Sequence, residues 1–99
     1  MTESFRQRRP IEMPVSTIAD GLVCRQPADL ALRGLLAFAD DVELVDDSQI
    51  LSAVDELSIE YGLRCEPSGA AALAAIRNRR EEFVGKRVVL VITGANSVI

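Results

Sequence analysis

The sequence contains no histidine and no tryptophan, and Lys86 is its only lysine. The lack of histidine excludes a Ser-His-Asp triad, a Cys-His pair and a histidine-ligated metal site. The two cysteines, Cys24 and Cys65, lie far apart and fit no metal-binding spacing, so we predict no metal site. With no secretion signal, we expect both thiols to be reduced and buried. Few catalytic mechanisms can be built from the side chains that remain.

Long apolar runs are also missing. No stretch approaches the roughly 18–20 apolar residues of a membrane span, and no charged-then-apolar leader is present. We therefore expect a soluble, cytoplasmic chain. The net charge of −4 argues against nucleic acid as a partner, because phosphate binding needs clustered cations. The one basic run, Arg6 to Arg9, lies in a polar stretch and is interpreted as a solvated segment.

The apolar content, by contrast, is high for the length. The chain has 99 residues, the size of one small domain, of which 48% are hydrophobic. Its mean hydropathy is +0.18. A domain of this size buries roughly 60–65% of the surface of its unfolded chain, so it is marginally stable if an apolar face stays uncovered. Part of the apolar surface is therefore expected to face a partner.

Helical and strand-like patterns alternate along most of the chain. Residues 1–16, with Pro10 and Pro14, predict an extended lead-in, and residues 17–99 are assigned to one domain. The predicted helices begin near Pro27, Ser48 and Ser68. Short strands are predicted at 42–45, 63–66 and 88–92, the last as a β-branched run buried on both faces. This order predicts a three-layer α/β fold with short parallel strands and helices on both faces.

The middle helix has the clearest boundaries. Asp46 and Gln49 have the spacing of a capping box, and Gly62 is placed to end the helix in the left-handed conformation. Between them, Ile50, Val54, Leu57 and Tyr61 form one apolar stripe.

Candidate functional residues follow the second and third predicted strands. Ligands of open α/β sheets bind outside the carboxyl ends of the strands, where Glu66-Pro67-Ser68-Gly69-Ala70 and Thr93-Gly94-Ala95-Asn96 lie. Glycine in each motif permits the close approach of a ligand or another backbone. Each motif by itself is more often structural than functional.

In combination and order, these motifs resemble the last third of threonine and serine dehydratases and serine racemases. The likeness includes Arg9-Pro10-Ile11-Glu12, Ile18-Ala19-Asp20-Gly21, the Glu66 motif, and Gly85-Lys86-Arg87-Val88-Val89 leading to Thr93. It runs from about Ser4 to Asn96. The resemblance implies the C-terminal part of a tryptophan-synthase-β-like domain of a fold-type II pyridoxal-phosphate enzyme. It also implies an ammonia-lyase that converts a hydroxy-amino acid to a 2-oxo acid and ammonia.

The resemblance assigns roles to four residues. Thr93 matches a serine whose hydroxyl hydrogen-bonds the pyridine nitrogen of the cofactor, and Gly94 follows it as in the family. Glu66 matches a glutamate on the cofactor side of the site, and Asp20 an aspartate that lines the cleft. Ala95 replaces the second glycine of the family's Ser-Gly-Gly-Asn.

The family's Schiff-base lysine and glycine-rich phosphate loop match nothing in this sequence. Lys86 matches a turn at the opposite end of the last strand. The resemblance therefore implies no catalytic residue in this chain, which we expect to be an inactive fragment that does not hold the cofactor stably and forms a homo-oligomer. Two alternatives stay open: a stand-alone regulatory or interaction module derived from such an enzyme, and an unrelated nucleotide-binding module. Against the nucleotide-binding alternative, this sequence contains neither of the glycine-rich phosphate-binding motifs.

Overall fold

The computed structural model describes residues 1–95, and the regular elements among them are helical. They are α1 (Thr2–Gln7), α2 (Asp29–Phe38), α3 (Asp47–Tyr61), α4 (Pro67–Asn78) and two 3-10 turns, Asp20–Leu22 and Arg80–Phe83. Within this part of the chain, none of the helices is both long and apolar enough to cross a bilayer.

The contacts divide the chain into two compact units. The first unit consists of Met1–Ser16 and Val23–Leu44, and the second of Thr17–Leu22 and the chain from Val45 onward. Six residues, Thr17–Leu22, therefore belong to the second unit although the residues on both sides of them belong to the first.

Ser4 organises the start of the first unit. Its side chain is fully buried, and its hydroxyl accepts a hydrogen bond from the Ile11 amide (2.8 Å) and donates one to the Ile11 carbonyl (3.2 Å). Arg8, at φ 58°, ends α1 in the left-handed region. The prediction of an extended lead-in is therefore wrong for Thr2–Gln7, because Ser4 bonds a backbone seven residues away and the chain folds back on itself.

Helix α2 begins at Asp29, two residues after the predicted first residue Pro27, which is buried just before it. The i,i+4 pair Asp29–Arg33 lies on its exposed side. Leu32 is the buried residue of the helix, whereas Phe38 is 89% exposed. The predicted helix is confirmed, but its apolar face is only partly covered.

Helix α3 has both predicted boundaries. The Asp46 carboxylate accepts from the Gln49 amide (2.8 Å) and the Gln49 side chain accepts from the Asp46 amide (2.9 Å), which is a complete capping box. Gly62 ends the helix at φ 64°. Of the predicted stripe, Ile50, Val54 and Leu57 are buried, but Tyr61 at the end is 62% exposed.

Helix α4 packs on α3 through small residues, and together they form the core of the second unit. Ala70 and Ala74 are almost fully buried against the α3 stripe, with Ala19 and Cys65 in the same cluster. Side-chain pairs also join the helices: Arg77 with Glu56, and Gln49 with Asn78. The predicted helix is confirmed as far as Asn78. Arg79 (φ −121°) then leaves helical geometry, and a 3-10 turn covers Arg80–Phe83.

The three predicted strands have no regular structure in residues 1–95. Within 88–92, Ile92 packs on the core, whereas Val89 and Val91 are 86% and 72% exposed, so the prediction of burial on both faces is wrong for the described chain. A β-ladder needs a series of hydrogen bonds between neighbouring strands. Among the described residues, the segments 63–66 and 88–92 are joined near their ends by a single backbone bond, from the Glu66 amide to the Gly94 carbonyl (3.1 Å). The three-layer α/β arrangement stays a prediction.

Candidate functional site

The two motifs predicted to bind the cofactor meet in the second unit. The Glu66 amide donates to the Gly94 carbonyl (3.1 Å), which places the turn before α4 beside the end of the 88–92 segment. The ends of the second and third segments predicted as strands therefore lie together.

Gly69 makes this approach possible. A Cβ on Gly69 would overlap the carbonyl oxygen of Thr93, and the glycine is buried in the first turn of α4. The backbone of Thr93 therefore rests directly on the helix. The sequence indicated glycines that permit close approach, but not which partner Gly69 would meet.

Gly94 is required for two reasons. Its φ of 74° lies in the region that favours glycine, and a Cβ there would overlap the carboxylate of Glu66. Glu66, the half-buried N-cap residue of α4, therefore places its side chain against Gly94. Ala95 has no positive φ, so a methyl group is tolerated where the resemblance has a second glycine.

Thr93 is exposed, and its hydroxyl makes no hydrogen bond to another residue of the described chain. A hydroxyl both donates and accepts, so it can bond a ring nitrogen in either protonation state. Asn96, the last residue of the predicted motif, lies outside the described residues.

Asp20 joins the same unit through its neighbour. The Gly21 amide donates to the Ser68 hydroxyl (2.8 Å), which links the Asp20–Leu22 turn to the second residue of α4. Asp20 itself is exposed. The sequence places Ser68 in the Glu66 motif but assigns it no role of its own, since a serine after Glu-Pro is an ordinary residue for the first turn of a helix.

Burial disqualifies the nearest thiol as a nucleophile. Cys65 is 6% exposed in the core, and desolvation raises the pKa of its thiol, with a further contribution from the adjacent Glu66 carboxylate. A neutral, buried thiol is inert. Both cysteines are free, and Cys24 is only half-buried, so the expectation of full burial holds for Cys65 alone.

Lys86 lies away from these residues in the chain and packs locally. It precedes the 88–92 segment, with its Nζ 6.0 Å from the ring centroid of Phe83. The described residues contain no cluster of acidic or cysteine side chains that could hold a metal ion. The site thus consists of a hydroxyl, a carboxylate and glycine backbone.

Comparison with known proteins identifies the family. Residues 1–94 match the family model described as pyridoxal-phosphate dependent enzyme. This chain belongs to that family. Among curated relatives, a biosynthetic L-threonine dehydratase of Pasteurella multocida is 33% identical over 96 residues, which cover 94% of this chain and 19% of that protein. An L-threonine ammonia-lyase of Geobacter sulfurreducens is 31% identical over 94 residues, which cover 94% of this chain and 23% of that protein.

Solved structures agree. The serine racemase of Dictyostelium discoideum superposes with a TM-score of 0.85 at 27% identity, over 99% of this chain and 32% of that one. A threonine deaminase structure gives a TM-score of 0.84 at 21% identity and supports the fold alone, over 99% of this chain and 33% of that one. The chain spans about a fifth of the length of the curated relatives it matches and about a third of these structures.

The local geometry fits one edge of the family's cofactor. An aromatic ring needs a flat approach and a partner for its nitrogen. The exposed Thr93 hydroxyl bonds no other described residue and could meet the ring nitrogen, while the Glu66 carboxylate occupies the space where a side chain on Gly94 would lie. None of these residues is assigned to bind the cofactor's phosphate or to form the covalent bond to the cofactor.

Proposed function

We propose that this chain is the C-terminal part of a pyridoxal-phosphate-dependent ammonia-lyase that acts on a hydroxy-amino acid. The observation that carries the proposal is the packing of Thr93-Gly94 against the Glu66–Gly69 turn, which presents an exposed Thr93 hydroxyl that bonds no other described residue. The names of the relatives, L-threonine dehydratase and L-threonine ammonia-lyase, support the reaction class.

In the complete enzyme, pyridoxal phosphate supplies an electron sink for the reaction. This chain holds one edge of the ring. With the cofactor bound, the Thr93 hydroxyl would bond the pyridine nitrogen without adding charge, the backbone of Gly94 would pass beside the ring, and Glu66 and Asp20 would line the site. The substrate loses water and the released enamine is hydrolysed, so the net products are a 2-oxo acid and ammonia.

A chimera tests the proposal. The 94-residue stretch of the Geobacter sulfurreducens enzyme that matches this chain is replaced by it. We expect the chimera to bind pyridoxal phosphate and to form a 2-oxo acid from threonine or serine. A chimera that folds and binds the cofactor, yet makes no 2-oxo acid while the parent does, would contradict the proposed function.

The isolated chain is proposed to be inactive. Its one lysine precedes the 88–92 segment, whereas the hydroxyl proposed to meet the ring follows it. Mixing the chain with pyridoxal phosphate should therefore give no stoichiometric covalent attachment. Saturable one-to-one attachment that is lost in Lys86→Arg would overturn this part of the proposal.

A further inference from the structure

The segment Thr17–Leu22 carries Asp20 and has little regular structure of its own. Beyond the short 3-10 turn, its internal backbone bonds are those from the amides of Asp20 and Leu22. Ala19 is fully buried in the core of the second unit. Where Asp20 lies therefore depends on what fastens the segment to the helices of that unit.

Asp47 fastens the start of the segment. Its carboxylate accepts from the Thr17 hydroxyl (2.5 Å) and from the Ile18 amide (3.2 Å), while the Thr17 oxygen accepts from the Ala19 amide (3.2 Å). Asp47 is the first residue of α3, where the helix dipole favours a carboxylate. The Asp47 carboxylate thus bonds two consecutive residues directly and the third, Ala19, through the Thr17 hydroxyl.

Ser68 fastens the other end. Its hydroxyl accepts from the Gly21 amide at 2.8 Å, and a Cβ on Gly21 would lie 2.7 Å from the same oxygen. Ser68 stands two residues after Glu66 and next to Gly69, on which Thr93 rests. One hydroxyl therefore joins the turn containing Asp20 to the turn that meets Thr93 and Gly94.

We propose that Ser68, with Asp47 as the second anchor, is a positioning residue that holds the Asp20-Gly21 turn in register with the Glu66–Gly69 turn. The effect of Ser68 on catalysis rests on the proposed function, whereas its hydrogen bond to the Gly21 amide does not. Ser68 acts through Gly21, the residue beside Asp20, and not on the reacting atoms.

The anchoring is tested on the isolated 99-residue chain by backbone ¹⁵N relaxation. The protein concentration is one at which sedimentation shows a single oligomeric species. In Ser68→Ala, we expect the order parameters of Asp20 and Gly21 to fall from about 0.85 toward about 0.6, the flexible range. Ser68→Thr keeps the hydroxyl and should keep the order. The matched control is Ser48→Ala, because Ser48 is also the second residue of its helix but donates to Asp46.

The catalytic consequence is tested in the chimera. We expect Ser68→Ala to lower kcat/KM about tenfold without changing Tm, and Ser68→Thr and Ser48→Ala to keep the kcat/KM of the parent chimera. Unchanged order parameters in Ser68→Ala would overturn the anchoring. Lost order with unchanged kcat/KM would overturn the positioning role. An inactive parent chimera would count against the proposed function, and the order parameters would still decide whether Ser68 holds the turn.

Discussion

The α-carbon of Gly69 lies so close to the carbonyl oxygen of Thr93 that no side chain fits between them. The contact joins the buried start of α4 to the residue proposed to meet the cofactor ring. Neither backbone can move away freely, because Glu66 and Gly94 are hydrogen-bonded alongside.

Gly69→Ala should therefore destabilise the chain. Overpacking of this kind costs about 1–3 kcal/mol, which urea unfolding measures directly. The matched control is Gly34→Ala in α2, where a Cβ would meet nothing within 4 Å. That variant should gain up to about 1 kcal/mol, because alanine is the better helix former. Equal free energies of unfolding for the two variants would contradict the contact.

Thr93→Val tests the hydroxyl in the chimera. Valine keeps the shape but leaves a ring acceptor without its donor, a loss of about 1–3 kcal/mol, or about fivefold to 150-fold in kcat/KM. Thr93→Ser retains the hydroxyl and should stay within a few-fold of the parent. Full activity in Thr93→Val would remove Thr93 from the site.

The Asp46 cap should make the stability of the second unit depend on pH. The Gln49 amide, and then the Ser48 hydroxyl, donate to the carboxylate and hold its pKa below the ordinary value of an aspartate. A lowered pKa in the folded state means that the stabilisation is present above the unfolded pKa and is lost as the pH falls through the folded one.

Thermal melts between pH 6 and about pH 2.5 measure this loss. Asp46→Asn keeps an acceptor at the cap but does not titrate, so its Tm should fall less steeply with acid. Parallel Tm profiles for the two proteins would show that Asp46 contributes nothing to the acid response.

The isolated chain should self-associate. Val89 and Val91 are apolar and largely exposed on a segment whose backbone bonds no other described residue, and Ile59 is 82% exposed on α3. Such surfaces favour pairing with a second copy. Sedimentation over a dilution series should show a dimer that weakens in the Val89→Thr/Val91→Thr double variant. A monomer that persists at high concentration would contradict this and favour an independent module.

The sequence by itself determined the local features and the family. Asp46, Gln49 and Gly62 set the ends of α3 because caps act within a few residues, and the structure has them as predicted. The motifs around Asp20, Glu66 and Thr93 indicated the pyridoxal-phosphate family, which the match to residues 1–94 confirms.

Tertiary structure decided what depends on distant partners. The contact between Gly69 and Thr93 joins residues far apart in the chain, and Ser4 in the helix at Thr2–Gln7 bonds Ile11 outside that helix. The Gly21–Ser68 hydrogen bond spans 47 positions. The periodicity of apolar residues carries no information on such pairs. A serine hydroxyl or a backbone amide gives no sign in the sequence of whether the fold brings it a hydrogen-bond partner.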